Sequence, residues 1–94
     1  MKLLKFYADW CMPCKVMTKT MERIADQITV PVENIDIDNE DNAELVKKYG
    51  IRTIPSFILL DDNGFEEKRN VGSMTGEKLI EFINVRASEI VEKS

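Results

Sequence analysis

Residues 9–15 read Asp9-Trp10-Cys11-Met12-Pro13-Cys14-Lys15, and they hold both cysteines of the chain. A strand-like run, Leu3-Leu4-Lys5-Phe6-Tyr7-Ala8, leads into them, and a helix-like run follows. A thiol at the first turn of a helix lies near unpaired backbone N–H groups and the positive end of the helix dipole. Both favour thiolate over thiol, and the thiolate is the nucleophile. The segment therefore predicts dithiol–disulfide exchange.

Outward from there, the first strand is expected over residues 2–8. Leu4, Phe6 and Ala8 lie on one face and Leu3 and Tyr7 on the other, the mark of a strand covered on both sides. Lys5 is the exception. The first helix is expected over 13–28, with Met17, Met21, Ile24 and Ile28 on one face. Pro13 suits its first turn, where a missing N–H costs nothing. The methionines read as flexible core filler rather than soft-metal ligands. A second strand is expected over 30–37. The acidic run 38–44 lacks the spacing and central glycine of a calcium loop. It reads instead as the start of a short helix that runs through Tyr49 and ends at Gly50. Ser56-Phe57-Ile58-Leu59-Leu60 reads as strand three. Asp61-Asp62-Asn63-Gly64 turns the chain, its Asn-Gly signalling a hairpin, into strand four, residues 65–71. After a loop at Gly72-Ser73-Met74, Thr75 can cap a last helix whose buried face includes Leu79, Phe82, Ile83, Val85 and Ile90. The order is β-α-β-α-β-β-α: an α/β fold with a four-stranded mixed sheet and three helices, its first β-α-β parallel and right-handed, its hairpin antiparallel.

Ninety-four residues predict one domain, 1–94, with a modest core. With 44% apolar and 32% charged residues the composition is that of a soluble globular protein. No apolar run approaches the roughly 20 residues of a membrane span. The N-terminus is a weak match to a signal peptide, because Lys5 interrupts its apolar stretch and no small-residue cleavage site follows. It reads as a mature strand of a cytoplasmic, monomeric protein. A net charge of −4 argues against nucleic acid as a partner. That charge is uneven: residues 1–30 carry five Lys/Arg against three acids, so the cysteines sit in a locally basic part of the chain.

The stretch Phe6-Tyr7-Ala8-Asp9-Trp10-Cys11-Met12-Pro13-Cys14-Lys15 resembles the active-site segment of thioredoxins. Lys48-Tyr49-Gly50-Ile51-Arg52-Thr53-Ile54-Pro55 is similar to the segment ending in that family's cis-proline. Asp62-Asn63-Gly64 resembles its hairpin, and Val71-Gly72 the glycine beside its active site. The resemblance covers essentially the whole chain and implies a minimal thioredoxin fold. It implies that Cys11, the more exposed sulfur, attacks a client disulfide, and that Cys14 resolves the mixed disulfide. Trp10, Met12, Thr53, Ile54, Pro55 and Gly72 are implied to line the substrate groove, and Lys5, Trp10, Met12, Pro13 and Lys15 to tune the dithiol. A cis Ile54–Pro55 bond, with the Ile54 backbone pairing to an extended substrate, is also implied. No bound cofactor or metal is implied; electrons would come from NADPH through a thioredoxin reductase. Ribonucleotide reductase is one client that a short, viral-type thioredoxin would suggest.

Three departures stand out. The usual additional strand and helix do not precede the first strand, which suggests a short form like glutaredoxins and certain viral or archaeal thioredoxins. Met12 occupies the usual glycine position. Lys5 occupies the position of a buried aspartate credited with proton transfer at the second cysteine, while the usual lysine partner aligns with Asn34. Three roles are open to Lys5: a cation favouring thiolate, a neutral amine accepting the Cys14 proton, or a side chain snorkelling to the edge and doing neither.

Four other functions are weighed against this one. A structural disulfide would close only a tiny loop, which stabilises little. A glutaredoxin would place proline directly after the first cysteine and carry a glutathione-holding segment that Val71-Gly72-Ser73-Met74-Thr75 lacks. A non-redox binding module has no need of Cys11 and Cys14. A zinc site would require a dimer pooling four cysteines, since the chain has no histidine and no third cysteine.

Overall fold

The computed structural model describes residues 1–84. Its elements are β1 (Lys2–Tyr7), α1 (Met12–Arg23), β2 (Val32–Asp36), α2 (Ala43–Lys48), β3 (Ser56–Leu60), β4 (Glu66–Val71) and α3 (Gly76–Asn84). The strands form one mixed sheet in the order β2-β1-β3-β4. β1 runs parallel to β2 and antiparallel to β3, and β3–β4 is an antiparallel hairpin. The α/β class and the four-stranded sheet with three helices are those expected from the sequence.

Alternation along β1 divides the core into two layers. Leu3 packs with Met17, Met21, Ile24, Phe57, Leu59, Leu79 and Ile83, beneath α1 and α3. Leu4 and Phe6 pack with Ile35, Tyr49 and Ile58 on the other face, against Leu45 and Val46 of α2. Phe6 meets Tyr49 edge-on, with ring centroids 6.0 Å apart. Arg69 of β4 ties α2 to the sheet by donating from Nη1 to the carbonyl of its capping residue, Tyr49, at 2.8 Å.

The boundaries on either side of the α1–β2 connection differ from the sequence expectation, each for a local reason. α1 stops at Arg23, and a 3₁₀ turn over Ala25–Gln27 carries the chain to an extended Ile28. The β-branched run Ile28-Thr29-Val30 ahead of Pro31 disfavours further helix. Ile28 still reaches the core, so the periodicity marked the right face but exceeded the helix. β2 begins at Val32 because Pro31 has no N–H to give the ladder; its carbonyl still accepts from Leu3 N at 2.9 Å.

The chain turns over Asp61–Gly64 as expected, Gly64 N donating to Asp61 O at 3.0 Å. Of Asn63 and Gly64 only Gly64 has a positive φ, at 84°, so the two do not by themselves make a type I′ turn. The Asp61 side chain organises a longer loop instead, its Oδ1 accepting from Asn63 N at 2.8 Å and Phe65 N at 3.0 Å. A register shift between Leu59 and Leu60 absorbs the extra length. In α3, Thr75 Oγ1 accepts from Lys78 N at 3.1 Å, the capping role expected of it. Leu79 and Ile83 are buried and Phe82 is partly so. Val85 and Ile90 lie outside the described residues.

Candidate active site

The chain leaves β1 at Tyr7, turns with Cys11 N donating to Ala8 O at 3.1 Å, and enters α1 directly. Cys11 is the N-cap of that helix, with φ −85° and ψ 106°. Its Sγ accepts the backbone N–H of Cys14 at 3.2 Å, the bond a capping serine or aspartate oxygen would make. Cys11 and Cys14 form a disulfide, their Cα atoms 5.2 Å apart. A cap bond to sulfur pays an orphan donor of the first turn and places a hydrogen bond where negative charge forms on reduction.

Both cysteines are recessed. Cys11 is 4% exposed and Cys14 2%, so the expected difference in exposure is slight. They pack with Ala8, against Tyr7, Ile37 and Ile54. Trp10 and Met12 flank them and stand out at 66% and 65% exposed; Pro13 and Lys15 are also exposed. The Ile54–Pro55 peptide is cis, and Pro55 is buried. Gly72 N donates to Pro55 O at 2.8 Å, which joins the end of β4 to the cis-proline. A Cβ on Gly72 would meet nothing, so its glycine is required by a φ of 100° rather than by crowding within the chain. Thr53 is exposed, and its carbonyl accepts the hydroxyl of Ser56. Of the residues implied to line a groove, Ile54 packs against the cysteines, Trp10 and Met12 adjoin Cys11 in the chain, and Gly72 is joined to Pro55.

Lys5 is the chief correction. It does not snorkel to water: the residue is 2% exposed, and Nζ donates to Thr18 Oγ1 at 2.6 Å. Asn34 stands beside it in the β1–β2 register, as aligned from the sequence. Burial depresses the Lys5 pKa below its ordinary 10.5, with the Glu22 carboxylate acting the other way. Between the folded value and 10.5, the unfolded chain binds a proton that the native chain does not, so stability rises with pH there. Below that window the full cost is present. Lys5→Met should therefore be more stable than the parent at neutral pH, and its advantage should shrink as pH approaches 10.5; urea melts of both proteins across pH 7–10.5 measure it.

Three contacts escaped the sequence reading. Trp10 Nε1 donates to Asp38 Oδ2 at 2.8 Å, which fixes the exposed indole against the segment after β2. By sequence Asp38 belongs to an acidic helix start, and no local pattern links it to Trp10. Met74 N donates to the buried Met17 Sδ at 3.3 Å, tying the loop after β4 to α1. Thr18, one turn beyond Cys14, donates from Oγ1 to Cys14 O at 3.1 Å. Its i,i+4 spacing was the available signal.

The chain matches the family model described as Thioredoxin over residues 1–85. The chain belongs to the thioredoxin family. The thioredoxin of Rickettsia bellii is 37% identical over 82 residues, covering 87% of this chain and 77% of that protein. The thioredoxin of Chlamydia trachomatis is 35% identical over 83 residues, covering 87% and 78%. Among solved structures, a thioredoxin variant from Halobacterium salinarum superposes with a TM-score of 0.77 at 35% identity, over 87% of this chain and 70% of that one. Thioredoxin 1 from Thermosipho africanus gives 0.73 at 26% identity over 100% of both. With its Cys11–Cys14 disulfide, this thioredoxin is a thiol–disulfide oxidoreductase of the protein-disulfide reductase type. Thioredoxins are reduced by thioredoxin reductase and act on disulfide clients. Among the described residues, no group of three potential ligands could hold a metal ion, and no helix is long and apolar enough to cross a membrane.

Proposed function

We propose that Cys11 is the attacking thiolate and Cys14 the resolving thiol. The observation that carries this is the cap bond: Cys11 Sγ accepts the Cys14 N–H at 3.2 Å at the start of α1. Cys11 thiolate attacks one sulfur of a client disulfide, forms the mixed disulfide and expels the other sulfur as thiolate, which takes a proton from solvent. Cys14 then loses its proton and attacks Cys11 Sγ. The Cys11–Cys14 bond forms, the second client sulfur leaves, and the client has gained two electrons. Pro13 supports the arrangement by adding no N–H to the first turn, and Lys15 adds a cation beside Cys14.

The client segment lies between Trp10 and Met12 on one side and Ile54, Pro55 and Gly72 on the other, with Thr53 at its end. The Ile54 backbone pairs with it in extended form. The open space over Gly72 supports this placement. Asp38 holds the Trp10 indole in the groove wall. The protein acts as a single-domain monomer over residues 1–94 in the cytoplasm, with ribonucleotide reductase one candidate client.

Electrons reach the disulfide from NADPH through a thioredoxin reductase. A coupled assay tests this: NADPH oxidation should require the reductase, this protein and a disulfide client together. Reduction by glutathione alone, with no response to the reductase, would make the protein a glutaredoxin in function.

A further inference from the structure

The acid expected behind the second cysteine is absent, and a cation stands in its place. Lys5 lies in the middle of β1, and its register neighbours, Asn34 on β2 and Phe57 on β3, carry no charge. The helix above supplies two groups that face it, the Thr18 hydroxyl and the Glu22 carboxylate. The hydroxyl has one proton, which it gives to Cys14 O at 3.1 Å. It must therefore accept from Lys5 Nζ, 2.6 Å away. Lys5, Thr18 and Cys14 form a directed chain from a buried amine to the backbone of the resolving residue.

We propose that Thr18 and Lys5 are positioning residues for the exchange reaction, with Thr18 anchoring the Lys5 ammonium under the first turn of α1 as a fixed positive charge behind Cys11 and Cys14. This rests on the assignment of Cys14 as resolving thiol. When Cys14 gives up its proton to attack Cys11, the anchored ammonium stabilises the thiolate and accepts no proton itself. Lys5 thus lowers the energy of the charged sulfur, where an acid in that position would serve as a base. The coupling is reciprocal, so a thiolate also holds Lys5 in its charged form against the cost of burial.

The test is a double-mutant cycle read by thiolate absorbance of the reduced protein against pH. Lys5→Met removes the charge. Thr18→Val removes the anchor at an exposed helix position, and Thr18→Ser restores it. Lys5→Met should raise the Cys14 thiol pKa, read alone in the Cys11→Ser background, by about one unit, as expected for loss of one nearby charge in a half-polar interior. Thr18→Val should raise it in the same direction, Thr18→Ser should match the parent, and Thr18→Val should add nothing in the Lys5→Met background. The single-turnover rate with a disulfide peptide should follow, falling up to about tenfold at pH values below the thiol pKa. An unchanged titration in Lys5→Met, or an equal Thr18→Val effect with and without Lys5, would overturn the proposal. Mixed-disulfide trapping separately decides which sulfur attacks, so the two assignments fail by different signs.

Discussion

Cys11→Ser should reduce turnover of any disulfide client to background, a loss of more than about 10³-fold, because an alcohol is not ionised near neutral pH and is a poor nucleophile toward sulfur. The substitution separates chemistry from structure. Serine is itself a preferred N-cap, so its oxygen can accept the Cys14 N–H that Cys11 Sγ accepts now. The lost disulfide spans three positions, a loop too short to stabilise the fold much. Reduced parent and variant should therefore melt within about 1 kcal/mol of each other while their activities differ completely. The coupled reductase assay and a urea melt together check both halves of this expectation.

Phe6→Ala should have the largest effect on stability. Phe6 is fully buried in the strand that delivers Cys11, packed among Leu4, Ile35, Ile58 and the edge-on ring of Tyr49. Truncation removes the ring's transfer energy, leaves a cavity and forfeits the aromatic contact, about 3–5 kcal/mol in all. For a domain of this size that corresponds to a melting temperature lower by roughly 15–30 °C. Tyr49 caps α2 and is held by Arg69, so loss should reach that helix first. Amide exchange in residues 43–49 should accelerate more than in α1, which packs on the opposite face.

Much of this molecule is written in local pattern. The alternation of β1, the helical period from Met17 to Ile24 and the run Ser56–Leu60 specify elements and faces because burial selects residues at the period of the backbone. The Cys11-Met12-Pro13-Cys14 motif between strand and helix specifies the chemistry, because a helix start is where a sulfur finds unpaired N–H groups. What was not legible depends on side chains meeting across the fold. Nothing adjacent to Trp10 announces Asp38, 28 positions away, as the acceptor of its indole N–H. Lys5 was legible as an anomaly, and its fate required the helix above it. A lysine in a strand can reach water or stay buried, and the outcome depends on whether a partner such as Thr18 lies within reach. The hairpin turning over Asp61–Gly64 was legible, but the part of the Asp61 carboxylate, which accepts from two N–H groups of the loop, was not.

The replacement of an acid by Lys5 alters what the reaction requires of its surroundings. A buried carboxylate behind a dithiol opposes thiolate charge when ionised and can take a proton. A buried ammonium favours thiolate and has no lone pair with which to take a proton. On the role proposed above for Lys5, thiolate formation is favoured at the start of α1 by the Cys14 N–H, the helix dipole and the Lys5 charge together.

The most direct measurement of the central claim is intact mass of the reduced Cys14→Ser variant after mixing with a disulfide-bonded peptide. Cys11 attack without a resolving thiol should leave the protein heavier by one peptide half, in a bond that dithiothreitol reverses, while Cys11→Ser under the same conditions gains far less. The absence of an adduct on Cys14→Ser, with the parent reducing the same peptide, would contradict exchange through Cys11. A faster adduct on Cys11→Ser would reverse the roles of the two sulfurs.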